Sequence, residues 1–208
     1  MGVLDRLFGP NSSNDSPEIT LVSDPSEKEY VRGEIDGERA LCGCAYSPDG
    51  EWLGVYTRSN PKRVALRGRD DPQTRYVREL DWPSDIAVAN GGHVAVCDNH
   101  GASTGTGTFY VFDPDGDTVV EHPFETDLGE STISSDGRYA AVVTVHESDA
   151  DSGTATGEVY VFEVETGSVL KRIDYDMAEP RLHFGDAGEH LELAGEDGVD
   201  TRSIPVDG

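Results

Sequence analysis

Several groups of residues in this chain have the types and spacing for chemistry. Gly101-Ala-Ser-Thr-Gly105 sets Ser103 in a G-x-S-x-G pattern, which presents a nucleophilic hydroxyl when a strand precedes it and a helix follows. Here Gly105-Thr-Gly107 and an apolar, strand-like run follow, so a small-residue loop is expected instead. Asp149-x-Asp151 opens like a calcium loop. Its next alternate position is Gly153, and Tyr160 stands where the bidentate Glu of such a loop belongs. Asp113, Asp115 and Asp117 alternate through a turn-like stretch, where Asp serves the backbone. Cys42-Gly-Cys44 sets two thiols on one side of a strand, and Cys97 is the third cysteine. A zinc site needs wider spacing and a fourth ligand. Buried, inert thiols are expected, with a disulfide from Cys97 to one of the pair as the alternative.

The least expected feature is basic. Arg58, Lys62, Arg63, Arg67, Arg69, Arg75 and Arg78 fall in a stretch where only Asp70 and Asp71 are acidic. Alternation along Arg63-Val-Ala-Leu-Arg67-Gly-Arg69 places Arg63, Arg67 and Arg69 on one strand face, with Val64 and Leu66 on the other. A guanidinium fork pairs with carboxylates or phosphates. Two readings follow. The cations neutralise the protein's own surplus acids, or Arg58, Lys62, Arg63, Arg67, Arg69 and Arg75 dock an acidic partner protein. No aromatic platform accompanies the stretch in sequence, which weighs against RNA.

The whole chain is strongly acidic. Its 208 residues carry 41 acidic and 16 basic side chains, a formal charge of −25. The usual magnitude for a small soluble domain is about 2–8. Only Lys28, Lys62 and Lys171 are lysines. Such charge destabilises a compact state by self-repulsion, and molar salt, with a Debye length of about 3 Å, removes most of that penalty. An acidic, lysine-poor surface resembles the proteins of salt-in halophiles. It argues against binding to DNA or to anionic membranes. No apolar run reaches the roughly 18 residues of a membrane span, and the first residues are too short and charged for a signal peptide. A cytoplasmic protein is expected. No P-loop, dinucleotide fingerprint or zinc-protease helix is present, so neither an enzyme nor a cofactor is implied.

The elements that must position these residues are short strands. Residues 2–8 carry Val3, Leu4, Leu7 and Phe8 at helical spacing, and a breaker-rich linker runs to Pro17. A short helix and linker over 1–17 and one domain over 18–208 are expected. Turn signatures then recur at Ser47-Pro-Asp-Gly50, Asn90-Gly-Gly92, Ser134-Ser-Asp-Gly137 and Gly185-Asp-Ala-Gly188. Their final glycines are 42, 45 and 51 residues apart. Apolar strands precede them at 41–46, 86–89, 131–133 and 182–184, and follow them at 52–56, 93–97, 139–145 and 190–194. Phe109-Tyr-Val-Phe-Asp113 matches Val159-Tyr-Val-Phe-Glu163, and a tight turn and a fourth strand follow each. Four strands joined as a meander are the unit of a β-propeller blade.

Strand, SPDG turn, strand and a Tyr-Val-Phe-Asp strand resemble the repeats of WD-like and TolB-like β-propellers over roughly residues 41–206. The fold expected is all-β and propeller-like, with about four blades of four-stranded antiparallel meanders. The N-terminal strands, which read as strand–turn–strand from Ile19 to Gly33, would complete the last blade. An incomplete or five-bladed ring and a β-sandwich are the alternatives. The first unit has a poor third strand at 63–66. The resemblance implies that the loops Asp98–Gly107 and His146–Gly157 share one face, where Asp98, His100, Ser103, His146, Asp149 and Asp151 are ligand-loop candidates. Fold alone supplies no function; the function expected is a non-catalytic protein-interaction module docking through the basic edge of its first unit, with a small-ligand or metal-binding, possibly hydrolytic, propeller as the alternative.

Overall fold

The computed structural model describes residues 19–21, 29–35, 38–60, 62–71, 73–101, 104–149, 154–177, 180–185, 188–195 and 201–206. The expected helix and linker over 1–17 lie outside these residues. Among the described residues, seventeen strands fall into four antiparallel sheets. The first holds β1 (Ile19–Leu21), β2 (Glu29–Ile35), β3 (Glu38–Tyr46), β4 (Trp52–Thr57), β5 (Arg63–Gly68) and β6 (Thr74–Glu79) in chain order. The second holds β7 (Pro83–Val88), β8 (Val94–Asn99), β9 (Gly107–Phe112) and β10 (Thr118–Phe124). The third holds β11 (Asp127–Ile133), β12 (Tyr139–Asp149), β13 (Thr154–Glu163) and β14 (Ser168–Met177). The fourth holds β15 (Arg181–Phe184), β16 (His190–Ala194) and β17 (Thr201–Pro205).

Each sheet is a meander of strands consecutive in the chain, since antiparallel neighbours need only short connections. The repeated turns are built alike. In the first, Gly50 takes φ 75° and its N–H donates to Ser47 O at 2.8 Å, while Trp52 N–H donates to Ser47 Oγ at 3.0 Å. In the third, Gly137 takes φ 75°, its N–H donates to Ser134 O at 2.9 Å, and Tyr139 N–H donates to Ser134 Oγ at 3.0 Å. These positive φ values favour glycine. Neighbouring turns also bond each other: Asp49 N–H donates to Asn90 Oδ1, and Asn90 N–H to Ser135 O, both at 3.0 Å.

The sheets pack face to face in sequence. One core, with Tyr56, Val64, Leu66, Ile86 and Val96, joins the first sheet to the second. A second, with Cys97, Phe109, Val111, Ile133, Val142 and Phe162, joins the second to the third. A third, with Val143, Val161, Leu182, Phe184, Leu191 and Leu193, joins the third to the fourth. Residues of β3, β7, β11 and β15 line one common cavity of about 310 Å³: Ala45, Val88, Ile133 and Phe184 all face it. Four meanders stacked around a shared axis give the expected propeller-like arrangement, and a two-layer sandwich is set aside. At the other end, the Asn99 amide bonds Leu128 like a strand residue, accepting its N–H at 2.8 Å and donating to its carbonyl at 2.9 Å.

Three expectations are corrected. The N-terminal strands do not complete the last blade: β2 pairs with β3 from Glu29↔Cys44 to Ile35↔Glu38, and β1 pairs with β2. Only Asp36 and Gly37 separate β2 from β3, so this local pairing costs far less chain entropy than closing the ends of the domain. Asp-Gly between strands is itself a hairpin signal. Among the described residues the fourth sheet accordingly has three strands. Second, 146–157 is not simply a loop, because β12 and β13 stay paired to Asp149↔Thr154. Gly157 makes this possible: a Cβ there would stand 1.9 Å from Thr144 O, to which Tyr175 OH donates at 2.9 Å. Third, the weak 63–66 segment is a full strand, with Val64, Ala65 and Leu66 buried on both faces.

Candidate functional site

The basic stretch forms β5, β6 and the loops around them. Arg63 and Arg67 share the β5 face of Ala65, as the alternation requires, and both are half-buried. Arg63 lies 3.6 Å from Glu79 on the neighbouring strand. Arg67 Nη1 donates to the carbonyls of Gly68 and Arg69 at 3.1 and 2.9 Å, so it braces the loop leaving β5. Arg78 Nε donates to Gly116 O at 2.9 Å, tying the first sheet to the hairpin of the second.

The remaining cations lie on aromatic rings. Arg58 stands 5.5 Å from the Tyr30 ring centre, Lys62 4.2 Å from Trp82, Arg69 5.1 Å from Tyr46 and Arg75 5.5 Å from Trp52. Ring faces attract cations, and the contact orders a long side chain. Arg78 lies 5.6 Å from the ring centre of Tyr76 within the stretch itself, whereas the rings under the other four come from β2, β3, β4 and the link into β7, out of reach of a linear reading. These cations do not form one patch. Arg58 and Lys62 lie at one end of the first sheet, near the links between sheets. Arg69 and Arg75 lie at the other end, near the repeated turns. The length of β5 separates them.

The ligand-loop candidates also separate. Asp98 and His100 come together with Asp81, their ligating atoms within 4.8 Å of one another. Asp98 is 2% exposed and accepts the N–H groups of Asp81 and Trp82 at 3.0 and 2.5 Å. Burial pushes its carboxyl above the ordinary range, against the pull of those two donors. His100 Nε2 shares a hydrogen bond with Thr108 Oγ1 at 2.9 Å. The main work of Asp98 is thus to cap the link that enters β7.

His146 belongs to another cluster. Its Nε2 lies 3.4 Å from Glu158 Oε2, which also accepts from Tyr160 OH at 3.0 Å, and Arg172 Nε donates to Glu158 Oε1. Burial works against this carboxylate, but Arg172, Tyr160 and His146 outweigh it and hold the Glu158 carboxyl below the usual range. Sequence reading missed Glu158, Tyr160 and Arg172. Only the cross-strand registers of β12, β13 and β14 bring them to His146. Ser103 and Asp151 lie outside the described residues, and Asp149 ends β12 opposite Thr154.

All three cysteines are buried. Cys42 and Cys44 sit in a fourth core, on the first-sheet face turned away from the second sheet, whereas Cys97 sits between the second and third sheets. A disulfide between them does not form. Burial pushes the Cys42 thiol up to about 11, which keeps it unreactive.

No helix among the described residues is long and apolar enough to cross a membrane. No family model matches the chain, and no curated protein matches it. Among solved structures it resembles the crystal structure of Kluyvelomyces marxianus Hsv2, a β-propeller protein, at 11% identity and a TM-score of 0.55. The likeness covers 87% of this chain and 55% of that one, so the chain spans about half the length of the structure it matches. At that identity the likeness concerns fold alone, and it agrees with the blade-like sheets and their common axis: the fold is all-β and propeller-like.

Proposed function

We propose that the chain is a non-catalytic, propeller-like protein-interaction module suited to a high-salt cytoplasm, docking an acidic partner through cations of its first sheet. The observation that carries this reading is the ring-supported set Arg58, Lys62, Arg69 and Arg75 in a chain of net charge −25. A guanidinium already ordered over a ring loses less freedom on binding a carboxylate. Arg63 and Arg67 support the reading less, since their contacts hold β5 and its loop. The Ser-x-Asp-Gly turns, alike in their hydrogen bonds, support a relationship to WD-like or TolB-like repeats. The three lysines and the acid surplus support adaptation to salt.

The test is reversal of Arg58, Lys62, Arg69 and Arg75 to Glu, followed by pull-down at high salt. Loss of specifically recovered acidic proteins is expected. Unchanged recovery sinks the reading.

A second reading, binding of a small ligand or a metal ion, draws on Asp81, Asp98 and His100. Stoichiometric metal in protein purified without chelator, lost in His100→Ala, would favour it over docking.

A further inference from the structure

The β2–β3 hairpin has two faces of opposite character. Val31 and Cys42 face the buried side. Tyr30, Arg32 and Glu34 alternate onto the other side, opposite Gly43, Leu41 and Arg39. That second face should be polar if it met only water. Instead Tyr30 is 50% and Leu41 54% exposed, the highest values among the exposed large apolar side chains of the described residues. Tyr30 is held in place: its hydroxyl lies 2.9 Å from that of Tyr56, whose ring lies across Gly43 and whose own hydroxyl donates to Ser84 O at 2.7 Å. Arg58 covers the Tyr30 ring. A groove of about 800 Å³ runs along this face, lined by Arg32, Glu34, Arg39 and Leu41. Three arginines thus stand around two exposed apolar side chains, against two described carboxylates: Glu34 in the groove, and Asp85, which lines a pocket with Tyr30 and Tyr56. The chain as a whole runs the other way, with 41 acidic and 16 basic side chains.

We propose that this face is the docking surface, and that its occupant is an acidic peptide segment of another protein carrying a large apolar side chain. Charge complementarity selects the acids: Arg32, Arg39 and Arg58 repel a basic segment and offer forks to carboxylates. Apolar contact sets the second requirement. Where salt shortens electrostatic reach to a few ångströms, charge alone recruits weakly, and an anchor over Leu41 and Tyr30 supplies contact that salt does not screen. Tyr and Arg around an apolar centre is also the composition of energetic hot spots at interfaces. This proposal rests on the docking function above and places it at one end of the first sheet.

The experiment measures binding of the full chain to a fluorescent peptide of alternating Glu and Leu, by anisotropy in high salt. A Lys/Leu peptide and an all-Glu peptide are the controls. Binding of the Glu/Leu peptide above both controls is expected. Arg32→Glu with Arg39→Glu should weaken it about tenfold or more, the loss of a hot-spot contact. Leu41→Ser should weaken it about fivefold, and Arg69→Glu with Arg75→Glu by less than about twofold. Circular dichroism confirms that each variant keeps its strands. If only the Arg69 and Arg75 reversal abolishes binding, this surface is wrong and the docking function stands. If the wild-type chain binds none of the acidic peptides, both fall. Equal binding of the all-Glu peptide, or binding abolished by self-association of the wild type in sedimentation, also overturns the proposal.

Discussion

Glu158 and His122 show how single side chains carry the pH response. Glu158 is buried and its carboxyl is held below the usual range, so its ion pairs stabilise the fold above the ordinary Glu value of about 4.3 and are lost as pH falls through the depressed folded value. Histidine acts earlier. Burial lowers His93 and His122, whose rings resist protonation in the fold. The unfolded chain takes up those protons first, below about 6.5, so stability declines with acidification from that point. His122 packs against Phe124 and Phe162 at 4.7 and 5.3 Å between ring centres. His122→Phe keeps the rings and removes the charge. Urea midpoints at pH 7.5 and 5.5 should therefore differ less in the variant than in the wild type, and an identical drop would refute the assignment. At this scale the sequence was only partly legible. It offered the arginines and the histidines, but their partners come from other strands: Tyr30 for Arg58, Trp52 for Arg75, Glu158 for His146. Nothing in linear spacing records a cross-strand register.

Strands and turns were far more legible. The segments expected around the four turns match the inner two strands of each sheet to within a few residues, because tight glycine turns and apolar alternation are local signals. Failures came where local signals competed. The Asp36-Gly37 hairpin outweighed an inferred closure, and the acidic run after Thr144 continued as a strand because β13 offers it a partner. Packing between sheets hangs on small residues that no alternation marks. A Cβ on Gly54 would meet Val88 and Ile86 at 2.6 and 2.8 Å, across the first and second sheets. A Cβ on Gly129 would meet Val143 and Val145 at 3.5 Å, ordinary contact. Gly54→Ala should cost about 1–3 kcal/mol by overpacking, whereas Gly129→Ala should be nearly neutral. Thermal and urea denaturation of the pair checks this, and equal stabilities would mean that the two sheets separate freely.

For the molecule as a whole, charge and topology set the terms. A net charge of −25 on 208 residues predicts a melting temperature that climbs steeply between about 0.1 and 1 M KCl, as the Debye length shrinks from about 10 to 3 Å. A flat profile would show that the acids are neutralised internally. The propeller-like class was legible from the repeat spacing, whereas the ends of the arc were not. At one end the outer face of the fourth sheet presents exposed His183, His190 and Glu192, while its inner face buries Leu182, Phe184, Leu191 and Leu193. The cores therefore follow one another in a line, from first sheet to fourth, with none returning from fourth to first among the described residues. Such a line behaves as a row of coupled units, not as a hoop. Each inner sheet is clamped by two neighbours and each end sheet by one, and of the two ends the fourth is the smaller, with three described strands against six. Amide protons should exchange fastest in β15–β17 and slowest in β8 and β12, and unfolding should enter from that end and travel inward one unit at a time.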